Sequence, residues 1–591
     1  MIRTYFVALA TILLAAAGAA GGDYIALDEV TPGMTGHGLT VVAGEELVEF
    51  QVEVVAVITE PGVRQEFIVI RALGEAIERS GGIAQGMSGS PVYLDGRLAG
   101  ALSRAAAWAA EPERPLGLVT PIEDMRKVLD EVVEEDPPLP ELPRIKPDPP
   151  SRHEASSWET QLAGSPLYTW PLQAPVLTAG LSERAVQTLN RGLELGELDS
   201  PLTRLLPSWA DTIPGLEELG ISQVITAPGV AGHTDWELRP GGPVGVSLMV
   251  GDMRIGALGT VTDVHGEAMV AMGHHFLFSG PSRYFLTEAH ILDTVQALDT
   301  PFKYGTLGAV EGGILADRWA AVGGRTDLPP AGIELGFEVR APGASQTQSY
   351  ALEAVMAQEP RLQALLLYLA GLEATDRALD RIGEGTVTVS YELHGNGMPR
   401  PLSRENVFLS TDDIASYVPW EAAVILNVLE YNEFQEPGLT EVRLQAEVNH
   451  EFKATEITEF VVHGQGFKPG DPVPFTVYAR DWRGEQHEWS AQLRIPPSAE
   501  GAYVEMRAYG GPRPLERGEA PPLIESLEEL ITYIEGIPAN DTVNVELFIP
   551  APLTELTGVE HLVGVDGRSL SVPDSVVAGE ISVYIPLEQE R

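Results

Sequence analysis

The stretch Gly81–Gly100 reads Gly-Gly-Ile-Ala-Gln-Gly-Met-Ser-Gly-Ser-Pro-Val-Tyr-Leu-Asp-Gly-Arg-Leu-Ala-Gly, and few folds accommodate it. Glycines around Ser88 favour a tight loop that another backbone can approach closely. An apolar hairpin from Val92 to Leu102 follows at once. It turns at Asp95-Gly96, a dipeptide that readily takes the positive φ values of a short hairpin turn. A β framework is therefore expected, with the Ser88 hydroxyl presented beside backbone N–H groups that can stabilise an oxyanion. A lone Gly-x-Ser-Gly reads better as a plain turn between strands. The whole string with its hairpin favours a peptidase nucleophile.

At 591 residues the chain exceeds what one core organises, and its length suggests about three to five domains. Hydrophobic residues make up 44% and charged residues 21%, an ordinary globular balance. With 85 acidic against 38 basic residues the formal charge is −47, which argues against nucleic acid and against docking on an anionic membrane. The absence of cysteine excludes disulfides, thiolate metal sites and a cysteine nucleophile. Arg3, the apolar run Tyr5–Ala17 and the small residues Ala17-Gly18-Ala19 form a signal-peptide pattern over residues 1–22. That run falls short of the roughly 20 residues a membrane-spanning helix needs. An exported protein without stable membrane insertion is expected, periplasmic, cell-surface or extracellular, with its mature chain starting near Ala20–Asp23.

Residues 23–135 read as β-rich. Phe50, Val52, Val54, Ala56 and Ile58 alternate along one strand face, and a short amphipathic helix runs over Ile122–Val133. Residues 136–165 are proline-rich and polar, a linker or extended strap. The β pattern resumes within 166–340. A mixed α/β region is expected over 341–438, where an apolar stripe within Leu352–Ile382 and the stretch Asp412–Tyr431 suggest helices. A β-sandwich-like domain is expected over 439–510 and an α+β region over 511–591.

A serine hydroxyl needs an adjacent base, usually histidine. Two contexts stand out. His37 lies among glycines in Gly33-Met34-Thr35-Gly36-His37-Gly38, a setting that is more often structural. His274 lies in Ala271-Met272-Gly273-His274-His275, at a strand end of the second β-rich block, which suits a site formed where two barrels meet. Neighbouring histidines on a strand point to opposite faces, so His274 and His275 do not read as a metal pair. For the orienting carboxylate, Asp317 follows His274 at an interval like that of the chymotrypsin template, with a salt bridge to Arg318 as the rival reading. Asp263, Asp293 and Asp299 are reserves. No phosphate-binding loop or metal cluster is evident, and no cofactor or metal is expected.

The string Gly81–Pro91 resembles the serine motif of the SpoIVB-type serine peptidases (serine peptidase family 55). Leu258-Gly259-Thr260-Val261-Thr262 and Ala271-Met272-Gly273-His274 resemble that family's Gly-Thr-Leu-Thr strand and Ala-Leu-Gly-His motif. The resemblance covers about Asp23–Val133 and Pro243–Gly324. It implies a chymotrypsin-like double β-barrel with Ser88 as nucleophile, His274 as general base, and the N–H groups of Gly86 and Ser88 as oxyanion hole. The family's Gly-His segment precedes its serine segment, whereas here Ser88 comes first, so the two halves are expected in permuted order. The family's aspartate upstream of the serine falls near Leu73 and has no counterpart.

The leading expectation is an exported serine endopeptidase acting on peptide or protein through an acyl-enzyme, self-processing included. A second reading is a catalytically weak relative that binds peptides or proteins, with Ala341–Arg591 as its working part. A third is a secreted structural protein that uses the barrel as scaffold.

Overall fold

The computed structural model describes residues 23–59, 66–106, 115–133, 158–162, 165–172, 174–194, 202–206, 212–219, 221, 223–229, 236–297, 300–342, 347–499, 502–513, 523–550 and 562–588. The expected signal peptide, most of the proline-rich stretch and Asp299 lie outside the described residues. The fold is mainly β.

The first unit runs β1 (Thr35–Val41), β2 (Leu47–Thr59), β3 (Glu66–Leu73), α1 (Glu75–Ser80), β4 (Pro91–Leu94), β5 (Arg97–Ala106), β6 (Leu116–Pro121) and α2 (Ile122–Val132). Its strands pair in the order β4–β1–β2–β3–β6–β5, and β5 pairs back onto β4 to close a barrel. The alternation along β2 shows how sequence fills it. Phe50, Val52 and Val54 are buried, but a register shift between Val54 and Ala56 ends the pattern, leaving Ala56 and Ile58 half-buried. A bulge turns the strand, so strict period-2 reading fails beyond it.

A hairpin of β7 (Trp158–Leu162) and β8 (Ser165–Pro171) then adds to the far end of β5. The sequence reading placed the first of these strands in a linker. Its proline-rich neighbours hid a segment that gains its order from pairing with β8 rather than from its own pattern. Next come β9 (Val176–Ala179), α3 (Glu183–Arg191), and the short strands β10 (Gly192–Glu194), β11 (Thr212–Pro214) and β12 (Val224–Thr226).

The second unit comprises β13 (Pro243–Gly251), β14 (Arg254–His265), β15 (Ala268–Ala271), β16 (Gly280–Val295), β17 (Phe302–Arg318) and β18 (Ala321–Arg325). These pair in the order β14–β15–β18–β17–β16–β13, and β13 pairs back onto β14. The sheet then continues from β13 through β20 (Gln348–Met356), β19 (Ile333–Ala341), β23 (Leu439–Asn449), β21 (Gly385–Gly395) and β22 (Leu402–Ser410). The helices α4 (Gln363–Leu379) and α5 (Trp420–Glu430) belong to this extension. Leu352 lies on β20 rather than on a helix. Nearly every residue of α4 and α5 is buried, because each packs against more than one neighbour in a shared core. The strand Leu439–Asn449, read from sequence as part of the sandwich, pairs instead between β19 and β21.

The sandwich is built from Ala454–Val462, Pro472–Asp481, Gln486–Arg494 and Val576–Ala578 in one sheet. Tyr503–Gly510, Thr542–Pro550, Leu562–Ser571 and Glu580–Pro586 form the other. Residues beyond 510 thus complete its second sheet, and a division at 510/511 does not hold. No described helix is long and apolar enough to cross a membrane.

The two β units meet across α2. Ile122, Met125, Val128, Leu129 and Val132 recur at helical spacing and are buried with Ala101 on one side and Val270, Leu315 and Ala321 on the other. Met125 is fully buried, so Met125→Ala should cost about 2–5 kcal/mol through lost burial and a cavity. A urea-unfolding midpoint unchanged by this substitution would show that the joint does not depend on the helix.

Candidate active site at the joint of the two β units

The serine loop starts where α1 ends, at Gly81 in left-handed backbone. It is held by main chain: Met87 N–H donates to Ala84 O at 3.0 Å, Ser90 N–H to Met87 O at 3.0 Å, and Gly89 N–H to Leu102 O at 2.8 Å. Gly86 and Gly89 flank Ser88 at φ +85° and +94°. At Gly89 the requirement is absolute, since a Cβ would lie 1.9 Å from Thr260 O. The Ser88 side chain is fully buried, and its Oγ has no hydrogen-bond partner among the described residues.

Strand β14 clamps this loop from the second unit. Thr260 N–H donates to Ser88 O at 2.9 Å, Thr260 Oγ1 to Gly86 O at 2.9 Å, and Thr262 Oγ1 to Gly89 O at 2.8 Å. Thr260 O in turn accepts Met272 N–H at 3.2 Å, at the end of β15. There the chain turns through Met272 (φ +70°) and Gly273 (φ +66°). Positive φ is uncommon for a methionine, and such backbone persists only where surroundings hold it. Here Thr120 of the first unit donates to Gly273 O at 2.7 Å, and a Cβ on Gly273 would lie 3.2 Å from both Ala101 Cβ and Ser103 Cβ.

His274 follows directly and is buried. Its Nδ1 lies 2.6 Å from the His275 carbonyl. A carbonyl only accepts, so the proton sits on Nδ1 and Nε2 keeps its lone pair. That Nε2 is buried and has no hydrogen-bond partner among the described residues. Burial, and secondarily Arg104, pull the imidazole down to about 4, against the raising influence of the His275 and Leu172 backbones. The ring is therefore neutral at pH 7. One seam of Thr260 contacts thus gathers the Ser88 loop and the turn carrying His274. Ser88 Oγ and His274 Nε2, each without a partner, are not hydrogen-bonded to one another.

Asp317 does not orient His274. Its carboxylate accepts the N–H groups of Phe276 at 2.7 Å, Leu277 at 2.8 Å and Ser279 at 3.3 Å, fastening the turn just after the histidines. Burial raises it to about 6 despite those three bonds. Arg318 pairs with Glu131 on α2 rather than with Asp317. The other candidates lie elsewhere. His37 stacks on Tyr93 with ring centroids 5.2 Å apart, Asp263 accepts from Tyr24 OH at 2.8 Å, and Asp293 makes an exposed 3.9 Å pair with Arg79.

Lys303 was not singled out from sequence. It is buried, with Nζ donating to Thr40 Oγ1 and Thr260 Oγ1, each at 3.0 Å. Its side chain passes under Gly86, where a Cβ would lie 3.1 Å from Lys303 Cβ. No motif marks this lysine. Thr260 and Thr262, by contrast, were visible in the Gly-Thr-Val-Thr strand.

Residues 24–123 match the family model of the SpoIVB peptidase S55. No curated protein and no solved structure matches the chain. The S55 match spans the first barrel, the Ser88 loop and the start of α2, and it carries the sequence of a serine peptidase family. His274, Lys303 and Asp317 lie beyond it. Among the described residues, no group of three His, Asp or Glu side chains is arranged to hold a metal ion.

Two outcomes follow from the charged groups. Asp317→Asn leaves one oxygen and an amide facing three N–H donors, and should lower stability by about 2–4 kcal/mol; an unchanged thermal melt would refute that role. Burial pulls Lys303 down to about 7, so above that pH it is neutral in the fold while the unfolded chain still binds the proton. Stability should rise with pH from about 7 up to the ordinary lysine range, by at most ~1.4 kcal/mol per pH unit, with no contribution below. Lys303→Met should flatten this rise in urea titrations at about pH 6.5, 8 and 9.5.

Proposed function

We propose that this protein is an exported serine endopeptidase with a chymotrypsin-like double barrel whose halves occur in permuted order. Two circuits of six strands support the architecture, with the serine loop on the first and the histidine turn at the end of β15 in the second. Ser88 is the nucleophile and His274 the general base. The observation that carries this reading is the clamp of Thr260 and Thr262 on Gly86, Ser88 and Gly89, beside a histidine whose Nδ1 is tied and whose Nε2 is left to accept a proton.

In this mechanism Ser88 Oγ attacks the substrate carbonyl carbon while its proton passes to His274 Nε2. The oxyanion is held by the N–H groups of Gly86 and Ser88. His274 then protonates the leaving amine as the C–N bond breaks, and water hydrolyses the acyl-serine by the reverse proton path. Asp317 serves as a positioning residue, setting the turn that follows His274.

Prolonged exposure to a fluorophosphonate should label the wild type at Ser88 and leave Ser88→Ala unlabelled. His274→Gln should slow labelling by a factor of about 100 or more. Label retained by Ser88→Ala, or a rate indifferent to His274, would overturn the assignment.

A further inference from the structure

The seam around Ser88 is not open. Strand β8 continues β5 outward in antiparallel pairing, with Pro171 opposite Arg104, Trp170 opposite Ala105 and Thr169 opposite Ala106. The next residue, Leu172, donates its N–H to Ser103 O at 2.8 Å and turns its carbonyl toward Gly86 N–H at 3.5 Å, the outer limit of a hydrogen bond. Gly86 N–H is one of the two donors assigned above to the oxyanion. The Leu172 side chain is buried in the apolar cluster that includes Ile83, Ala84, Met87, Ala105 and Val119, the lining around the serine loop. An extended segment added antiparallel to a strand, held by its main chain and anchored by one side chain in a pocket, is how peptides are bound by strand addition.

We propose that residues 165–172 occupy the substrate position of this site. Leu172 fills the place of the residue whose carbonyl is attacked, and a substrate enters as an extended strand that displaces the segment. The inference rests on the peptidase reading. It adds that the chain holds its own site shut, and that the preferred residue on the acyl side of the cleaved bond is apolar and of leucine size. The full burial of Ser88 Oγ agrees with a site already filled.

Two substitutions test it, each checked for folding by circular dichroism and thermal melt. Leu172→Pro removes the N–H that Ser103 O accepts, and Leu172→Asp sets a carboxylate in the apolar pocket. Both should raise the rate of fluorophosphonate labelling at Ser88 at least about tenfold over wild type. A peptide of the sequence Ser165–Leu172, added in excess, should slow labelling of the variants again. A fragment ending at Leu172, released by the wild type and absent from Ser88→Ala, would also support the assignment. Equal, Ser88-dependent labelling of wild type and both folded variants would overturn the proposal while leaving the peptidase reading intact. No labelling of any of the three would overturn the peptidase reading itself.

Discussion

Everything at the site depends on one threonine and on the side chain a glycine lacks. Thr260 uses its N–H, carbonyl and hydroxyl at once: toward Ser88, toward Met272, and between Gly86 and Lys303. That concentration of contacts is feasible only because Gly89 has no Cβ, so β14 comes within bonding distance of the serine loop. In a buried seam each of these bonds matters more for what its loss would expose than for its own net strength, since an orphaned buried donor or acceptor bears its full desolvation cost. The joint therefore fixes the relative placement of parts drawn from two distant stretches of chain. Helix α2 supplies the apolar bulk beside it, and the threonines supply the register.

The sequence was most informative where chemistry demanded rare residues. The glycines around Ser88 and the Asp-Gly hairpin turn announced the loop, because few residues tolerate those backbone angles. His274 was visible through its glycine neighbour, whose positive φ lets the chain turn off the strand. Asp317 was misread for a physical reason. Spacing along the chain says how far apart two residues are in number, but a carboxylate is taken by the nearest unpaired donors, and here those are three backbone N–H groups. Lys303 was invisible because a buried lysine looks like any other lysine until the threonines that receive it are placed. Strand β7 was lost among prolines, and β23 among strands of equal alternation, since pairing partners are a property of the assembled sheet.

The buried ionisable groups also pull against one another. Below the ordinary histidine range the unfolded chain binds a proton that His274 refuses, so stability falls as pH drops from there toward about 4. Asp317 has the opposite sign: its raised value means the folded chain takes up its proton first, so that contribution is present at low pH and is lost as pH rises through about 6. The two partly cancel across the same acidic window. Lys303 acts at the alkaline end, where burial has pulled it down to about 7.

A carbonyl in place of a carboxylate behind His274 has consequences for the proposed mechanism. The His275 oxygen fixes the Nδ1–H tautomer as firmly as a carboxylate would, because it can only accept. It brings no full negative charge, however, so an imidazolium formed in the proposed mechanism would gain less than it would beside an aspartate. Burial and Arg104 lower the proton affinity of the ring further, which would make His274 a weak base in the proposed closed site. Burial is the larger of these influences and the one that a change of occupant alters. A substrate strand that admits water or its own dipoles to the ring would weaken the desolvation and raise the basicity of Nε2. On the proposed reading, filling the cleft with Leu172 and depressing the base are then two effects of one closed state, and displacement of the segment would relieve both.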